Sequence, residues 1–207
     1  DIHTAAVTDE MLARFDERAP EYDRENRFFE EDFEELRSSG YLLASVPTDR
    51  GGGGLTLSEI NRLQRRIAYV APATAVAVNM HHYFVGMCAD LHRAGDPSGD
   101  WVLERAAEGA IFAAGHGEAG NDIPVLLSTC AAERVNGGYV LTGRKQFGSN
   151  GPAWTWLGAH AIDVAAPGTV ANVQGLWWNV PAGSEAGWGI NFAHQGDVIF
   201  ATWFTYD

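Results

Sequence analysis

Positive charge is scarce in this 207-residue chain: 14 Lys and Arg stand against 27 Asp and Glu, a formal net charge of −13. A nucleic-acid binder needs a basic face to meet phosphates, so the balance argues against nucleic acid and against an anionic membrane surface. Long apolar runs are also lacking. None approaches the roughly 18 residues of a spanning helix, and no basic stretch followed by an apolar core marks a secretory leader. The chain opens at Asp1, without a methionine. Cysteine is limited to Cys88 and Cys130. Two are too few for a disulfide framework or a zinc motif, which predicts unpaired thiols and a reducing, cytoplasmic setting. Familiar catalytic signatures are missing too: there is no H-E-x-x-H, no G-x-S-x-G elbow, and "GRKQFGSNG" departs from the Walker pattern. No period of about 20 to 50 residues repeats, which argues against a solenoid.

What is present changes character near residue 110. Residues 1–109 read as helices. "DRENRFFEEDFEELRSSG" sets Phe29, Phe33 and Leu36 on one stripe, with Gly40 as the stop and the acids Glu30, Glu31, Asp32, Glu34 and Glu35 as a solvated face. "YLLASVPTDRGGGG" is a connector whose glycines cannot hold regular structure. "LSEINRLQRRIAYV" restarts a helix, with Ser58 as N-cap and Leu63, Ile67 and Val70 facing inward. "TAVAVNMHHYFVGMCADLHRAG" is apolar nearly all round and reads as a central buried helix, and "DWVLERAAEG" as a short last one ending near Gly109.

Residues 110–207 read as strands: "AIFAAG", "STCAAERV", "YVLTGRKQFG", "TWLGAHAIDV", "VQGLWWNV" and "DVIFATWF" are short apolar or alternating runs parted by turn residues. Asn136-Gly137 predicts a tight hairpin. The expectation is an α+β chain, an N-terminal α-helical domain followed by a small antiparallel β-barrel or sandwich. Between strands lies "GHGEAGND", with three glycines in eight residues. A surface turn needs one or two; a backbone brought close to a ligand needs more, with Asn and Asp holding the loop. His81 and His82 point about 100° apart on a helix and cannot share a metal, so both are expected to be structural. His116 is expected as a polar surface residue of the loop, and Trp154, Trp156, Trp177 and Trp178 as sheet packing.

Several of these stretches, in this order, resemble the front two-thirds of an acyl-CoA dehydrogenase. "SSGYLLASVPTDRGGGGLTLSEINRLQRRIA" is similar to the family's helix–loop–helix, "AAEGAIFAAGHGEAGND" to the passage into the flavin-side loop, usually T-E-P-x-A-G-S-D, "VNGGYVLTGRKQFGSNG" to the hairpin ending G-x-K-x-W-I-T-N-G, and "DVIFATWFTYD" to the strand closing the β-domain. The resemblance implies a flavoprotein of fatty-acid metabolism that binds FAD and an acyl-CoA-type substrate and desaturates the thioester. It implies that Phe112, Ala114 and Gly115 flank the flavin ring, that Phe147 takes the place of the tryptophan covering it, and that Ser149 keeps the hydroxyl of the usual threonine. Gly120, Asn121 and Asp122 match the turn near the substrate's phosphates and thioester arm. Gly115 and His116 stand where Thr-Glu is usual.

In the family a C-terminal helical domain normally brings the proton-abstracting glutamate and much of the oligomer interface. The chain ends at Asp207, where that domain would begin, so the catalytic base stays unassigned. The expected partner is a further copy or a second chain supplying those helices, with weak FAD binding by this chain alone. Two other readings accompany the first: a flavin monooxygenase of the same superfamily, in which reduced flavin activates O2, and a non-catalytic subunit.

Overall fold

The helices of the first half begin where side chains can satisfy free amides. In the computed structural model, which describes residues 6–118, 128–165, 175–178, 188–195 and 198–205, the last three as backbone alone, α1 spans Asp9–Glu25. The Thr8 hydroxyl accepts from the Met11 amide at 3.2 Å, and Met11, Phe15 and Tyr22 are buried. This helix was not expected: Pro20 sits inside it and only three of its side chains are buried. α2 (Glu30–Ser38) buries Phe33 and Leu36, and Gly40 follows at φ 78°, the expected stop. Its acids do not all face solvent. Asp32 is fully buried, paired with Arg18 of α1.

Two 3-10 turns, Tyr41–Leu43 and Thr48–Arg50, precede the glycines, whose amides run back onto the carbonyls of Leu43, Val46 and Pro47. α3 (Leu57–Val70) starts two residues earlier than predicted. Thr56, not Ser58, is its N-cap, because the Glu59 carboxylate reaches back to the Thr56 amide at 2.8 Å and hydroxyl at 2.7 Å. Leu63 and Ile67 face inward as expected, and Val70 is half-buried. α4 (Pro72–Arg93) opens on Pro72, where no amide is needed, and α5 (Asp100–Ala107) closes the helical unit. α3 packs on α4 and α1, and α4 on α5.

The chain divides into two compact units, Asp1–Ala110 and Ile111–Asp207. In the second, β1 (Phe112–Gly115), β2 (Gly117–Glu118), β3 (Ala131–Val135), β4 (Gly138–Thr142), β5 (Lys145–Gln146), β6 (Trp156–Ala159), β7 (Ile162–Asp163), β8 (Gly175–Trp178), β9 (Trp188–Gln195) and β10 (Val198–Thr205) form three sheets among the described residues. The largest runs β1-β6-β10-β9-β8; β4-β3-β7 and β2-β5 are smaller. Asn136 and Gly137 make the predicted hairpin turn between β3 and β4, with Gly137 at φ 87°.

The expected antiparallel barrel is corrected in two respects. No closed barrel forms among the described residues, and two pairings, β1 with β6 and β3 with β7, are parallel. The cause lies at a shared origin. The Ile111 carbonyl accepts from the Thr155 and Trp156 amides at 2.9 and 3.0 Å, so the two strands leave that point side by side in one direction. β9 was not foreseen; "WGINFAHQ" mixes glycine, amide and aromatic residues without clean alternation.

Candidate functional site

The glycine loop's first half is anchored by charge. β2 pairs with β5 in a register that sets Glu118 opposite Lys145, the chain's only lysine. The buried Glu118 carboxylate meets the Lys145 ammonium and the Ser128 hydroxyl, and accepts from the Thr129 amide and hydroxyl at 2.5 Å each. Burial alone would raise its pKa; the Lys145 and Ser128 contacts and those from Thr129 outweigh that and hold it well below the usual carboxylate range. Glu118 is therefore a structural acid, and sequence reasoning missed both it and Lys145. The β2–β5 register was the only signal that could have joined them.

His116 is half-buried, not a surface residue: its Nδ1 lies 3.2 Å from Nδ1 of the buried His160. Burial, then His160 and Lys145, push its pKa down to about 4, so the ring is neutral near pH 7. One of the two facing nitrogens must carry a proton and the other accept it.

β1 itself is core. Phe112 is fully buried and stacks on Trp156 with ring centroids 5.9 Å apart, while Ala114 and Gly115 are buried beside it. Of these three, Phe112 has its ring committed to packing and can offer a ligand only backbone. Gly120, Asn121 and Asp122 lie outside the described residues.

Across the β2–β5 pair the turn at 147–150 departs from ordinary backbone. Phe147 has φ 60° and is 70% exposed; Asn150 has φ 67° and is 3% exposed. The Ser149 amide donates to the Phe147 carbonyl at 2.8 Å, tightening the turn, and Ser149 is half-buried. A Cβ on Gly117 would come within 2.8 Å of Phe147 Cδ2, so this glycine is what lets the aromatic ring lie over the loop. Both polar atoms of the Asn150 side chain are buried without a hydrogen bond, as is Trp154 Nε1. Left-handed non-glycine residues cost about 1–3 kcal/mol each and cluster where a shape is needed for binding. A buried amide left unpaired adds about 1–3 kcal/mol.

In the helical unit, His81 and His82 are both buried and do not share a partner, each being held by its own. His81 Nε2 donates to the Leu42 carbonyl at 2.8 Å, and His82 Nδ1 meets the Ser45 hydroxyl at 2.9 Å. Burial lowers the His81 pKa to about 4 and the His82 pKa well below the usual histidine value, so both are neutral. His82 and Ser45 also line a cavity of about 530 Å³ between α3 and α4. Cys88 and Cys130 are buried and unpaired, and burial, with Asp100 nearby, pushes the Cys88 thiol up to about 12. Among the described residues no group of His, Cys, Asp and Glu could hold a metal, and no helix is long and apolar enough to cross a membrane.

Comparison with known proteins bears on both units. Residues 4–98 match the family described as acyl-CoA dehydrogenase, N-terminal domain. YdbM of Bacillus subtilis (strain 168), which carries the name acyl-CoA dehydrogenase provisionally, is 26% identical over 135 residues, 64% of this chain and 35% of its own. KijD3, solved with FMN and a dTDP-linked amino-keto sugar, superposes with a TM-score of 0.67 at 21% identity, covering 96% of this chain and 49% of its own. Methanesulfinate monooxygenase MsuC of Pseudomonas fluorescens gives a TM-score of 0.62 at 25% identity, over 79% of this chain and 39% of its own. The chain thus spans about a third to a half of the length of these relatives.

Proposed function

We propose that this chain, whose helical unit belongs to the acyl-CoA dehydrogenase family, is part of a flavin-dependent oxidoreductase acting on an acyl-CoA-type substrate. The observation that carries the reading is the 147–150 turn: an exposed aromatic face on strained backbone beside a buried, unpaired amide. A planar heteroaromatic ring with a polar rim fits that combination. Phe147, Ser149 and Asn150 would hold it, Phe147 offering an aromatic surface, Ser149 a hydroxyl and Asn150 its unpaired amide. The Gly115–Gly117 backbone approaches from the other side of the loop, held in place by the Glu118–Lys145 pair. A bound flavin supplies hydride acceptance; the protein's share is to orient the ring and exclude water. FAD is the cofactor the family resemblance favours, while FMN occupies KijD3. Gly120, Asn121 and Asp122 remain proposed contacts for the substrate's phosphates, and family membership supports assembly with further copies.

Oxygen-dependent chemistry is the second reading. The neutral His116, facing His160, stands where the family's usual Thr-Glu is replaced, and MsuC, a monooxygenase, shares the fold. Titrating FAD and FMN separately into the protein, followed by flavin absorbance and fluorescence, tests the site. Saturable binding of one of them, weakened about tenfold by Phe147→Ala as expected for losing an aromatic stack, supports it. Binding of neither, or binding indifferent to Phe147, sinks it. Anaerobic bleaching by acyl-CoA then favours desaturation, and substrate-dependent oxygen consumption favours monooxygenation.

A further inference from the structure

The cavity between α3 and α4 holds an unbalanced hydrogen-bonding group. His82 is 4% exposed; its Nδ1 is occupied by Ser45, yet its Nε2 is buried with no hydrogen-bond partner among the described residues. Tyr41, edge-on to the same ring at 4.5 Å between centroids, likewise buries a hydroxyl with no partner. Buried polar atoms are nearly always paired in folded proteins, so an unpaired ring nitrogen on a residue that lines the cavity points to something that enters it.

The proton's position can be deduced. Ser45 is 2% exposed and its hydroxyl makes one hydrogen bond, to His82. If Nδ1–H donated to Ser45, the serine proton and the Nε2 lone pair would both be stranded. If the serine donates to Nδ1, only one group is stranded, an Nε2–H donor. The second arrangement leaves less unpaid and is the stable tautomer. Ser45 thus fixes His82 as a donor.

The rest of the lining describes the ligand's body. Leu55, Ile60, Met87 and Leu91 give apolar walls, and the size matches sites for small organic molecules. Of the charged groups at the wall, Arg93 is committed to Asp90 at 2.5 Å and to the Leu55 carbonyl at 3.1 Å, so no free charge awaits a counter-ion. We propose that this cavity is a binding site for a neutral, largely apolar small molecule carrying a hydrogen-bond acceptor, such as a carbonyl or ring nitrogen, which His82 Nε2–H recognises. His82 is a specificity-determining residue, and Ser45 positions it.

The inference stands apart from the flavin reading, and its test uses no flavin. Quinoline and naphthalene have the same shape and differ in one acceptor nitrogen. Each is titrated into the full chain labelled with 15N at histidine, and the ring nitrogens are followed by NMR. The expected spectrum shows His82 protonated at Nε2, that resonance moving with quinoline, and quinoline binding roughly fivefold to tenfold tighter than naphthalene. His82→Phe should equalise the two probes, and His82→Gln, which restores an N–H donor, should recover part of the preference. Equal binding in the wild-type protein, a preference that survives His82→Phe, or binding of neither probe overturns the proposal; in the last case water alone satisfies the ring. Should His82→Phe fail to fold, the wild-type pair and His82→Gln still decide.

Discussion

Asp32 shows how far a single residue can depart from its local sequence. It sits in a run of five acids, which locally reads as a wet face, yet it is fully buried. Its partners come from elsewhere: Arg18 Nε at 2.8 Å, Tyr22 Oη at 3.3 Å and Thr74 Oγ1 at 3.2 Å, the last 42 residues away. Nothing within helical reach of Asp32 announces them. The same holds for His82, whose Ser45 partner lies 37 residues off. Burial raises the Asp32 pKa to about 6, above its unfolded value of about 3.9. The folded state therefore holds a proton between about pH 4 and 6 that the unfolded chain has lost. That stabilisation is present at the acid end and disappears as pH rises through about 6. Compared with Asp32→Asn, which stays neutral, the wild-type protein should lose roughly 2 kcal/mol of relative stability between pH 4.5 and 7.5. Urea midpoints of both proteins at the two pH values measure this. A gap that moves the other way would mean that the Arg18 pair outweighs desolvation. The thiols give a simpler expectation: Cys88 and Cys130, both buried, should react slowly in the native protein and both titrate after unfolding without reductant.

Elements were legible where their signal was local. α2 to α5 follow from apolar spacing and Gly40, and the β3–β4 hairpin from Asn-Gly. What escaped was pairing. β2 and β5 are two residues each, too short for any period, and exist because Glu118 and Lys145 face one another. The turn beyond β5 was legible by resemblance, but the strain at Phe147 and the unpaired Asn150 amide were not, since neither φ nor hydrogen bonding follows from residue type. Lys145→Met should therefore act well beyond one surface charge. It strands a buried carboxylate, and breaking such a pair costs about 3–5 kcal/mol. The double variant with Glu118→Gln should recover much of that loss, because the stranded charge is gone. Denaturation curves following tryptophan fluorescence check both. Equal losses in the single and double variants would show that packing, not charge, holds β2 to β5.

At the scale of the molecule, the order helices-then-strands was readable, while the sheet arrangement was not. Parallel pairing of Phe112–Gly115 with Trp156–Ala159 joins segments separated by the whole β2–β5 stretch, and no local pattern distinguishes it from an antiparallel barrel. The division into two compact units has a consequence for unfolding. Among the described residues all the α-helices lie in the first unit, whereas Trp154, Trp156, Trp177, Trp178, Trp188 and Trp203, six of the seven tryptophans, lie in the second. Far-UV circular dichroism at helix wavelengths then reports one unit and tryptophan fluorescence chiefly the other. Each unit has its own buried core, so a change inside one should register first in its own signal. Lys145→Met is expected to shift the fluorescence midpoint and leave the dichroism midpoint nearly unmoved. Asp32→Asn, compared across pH, should do the reverse. If both variants move both signals equally, the chain unfolds as one cooperative body, and the two units are a feature of geometry rather than of stability.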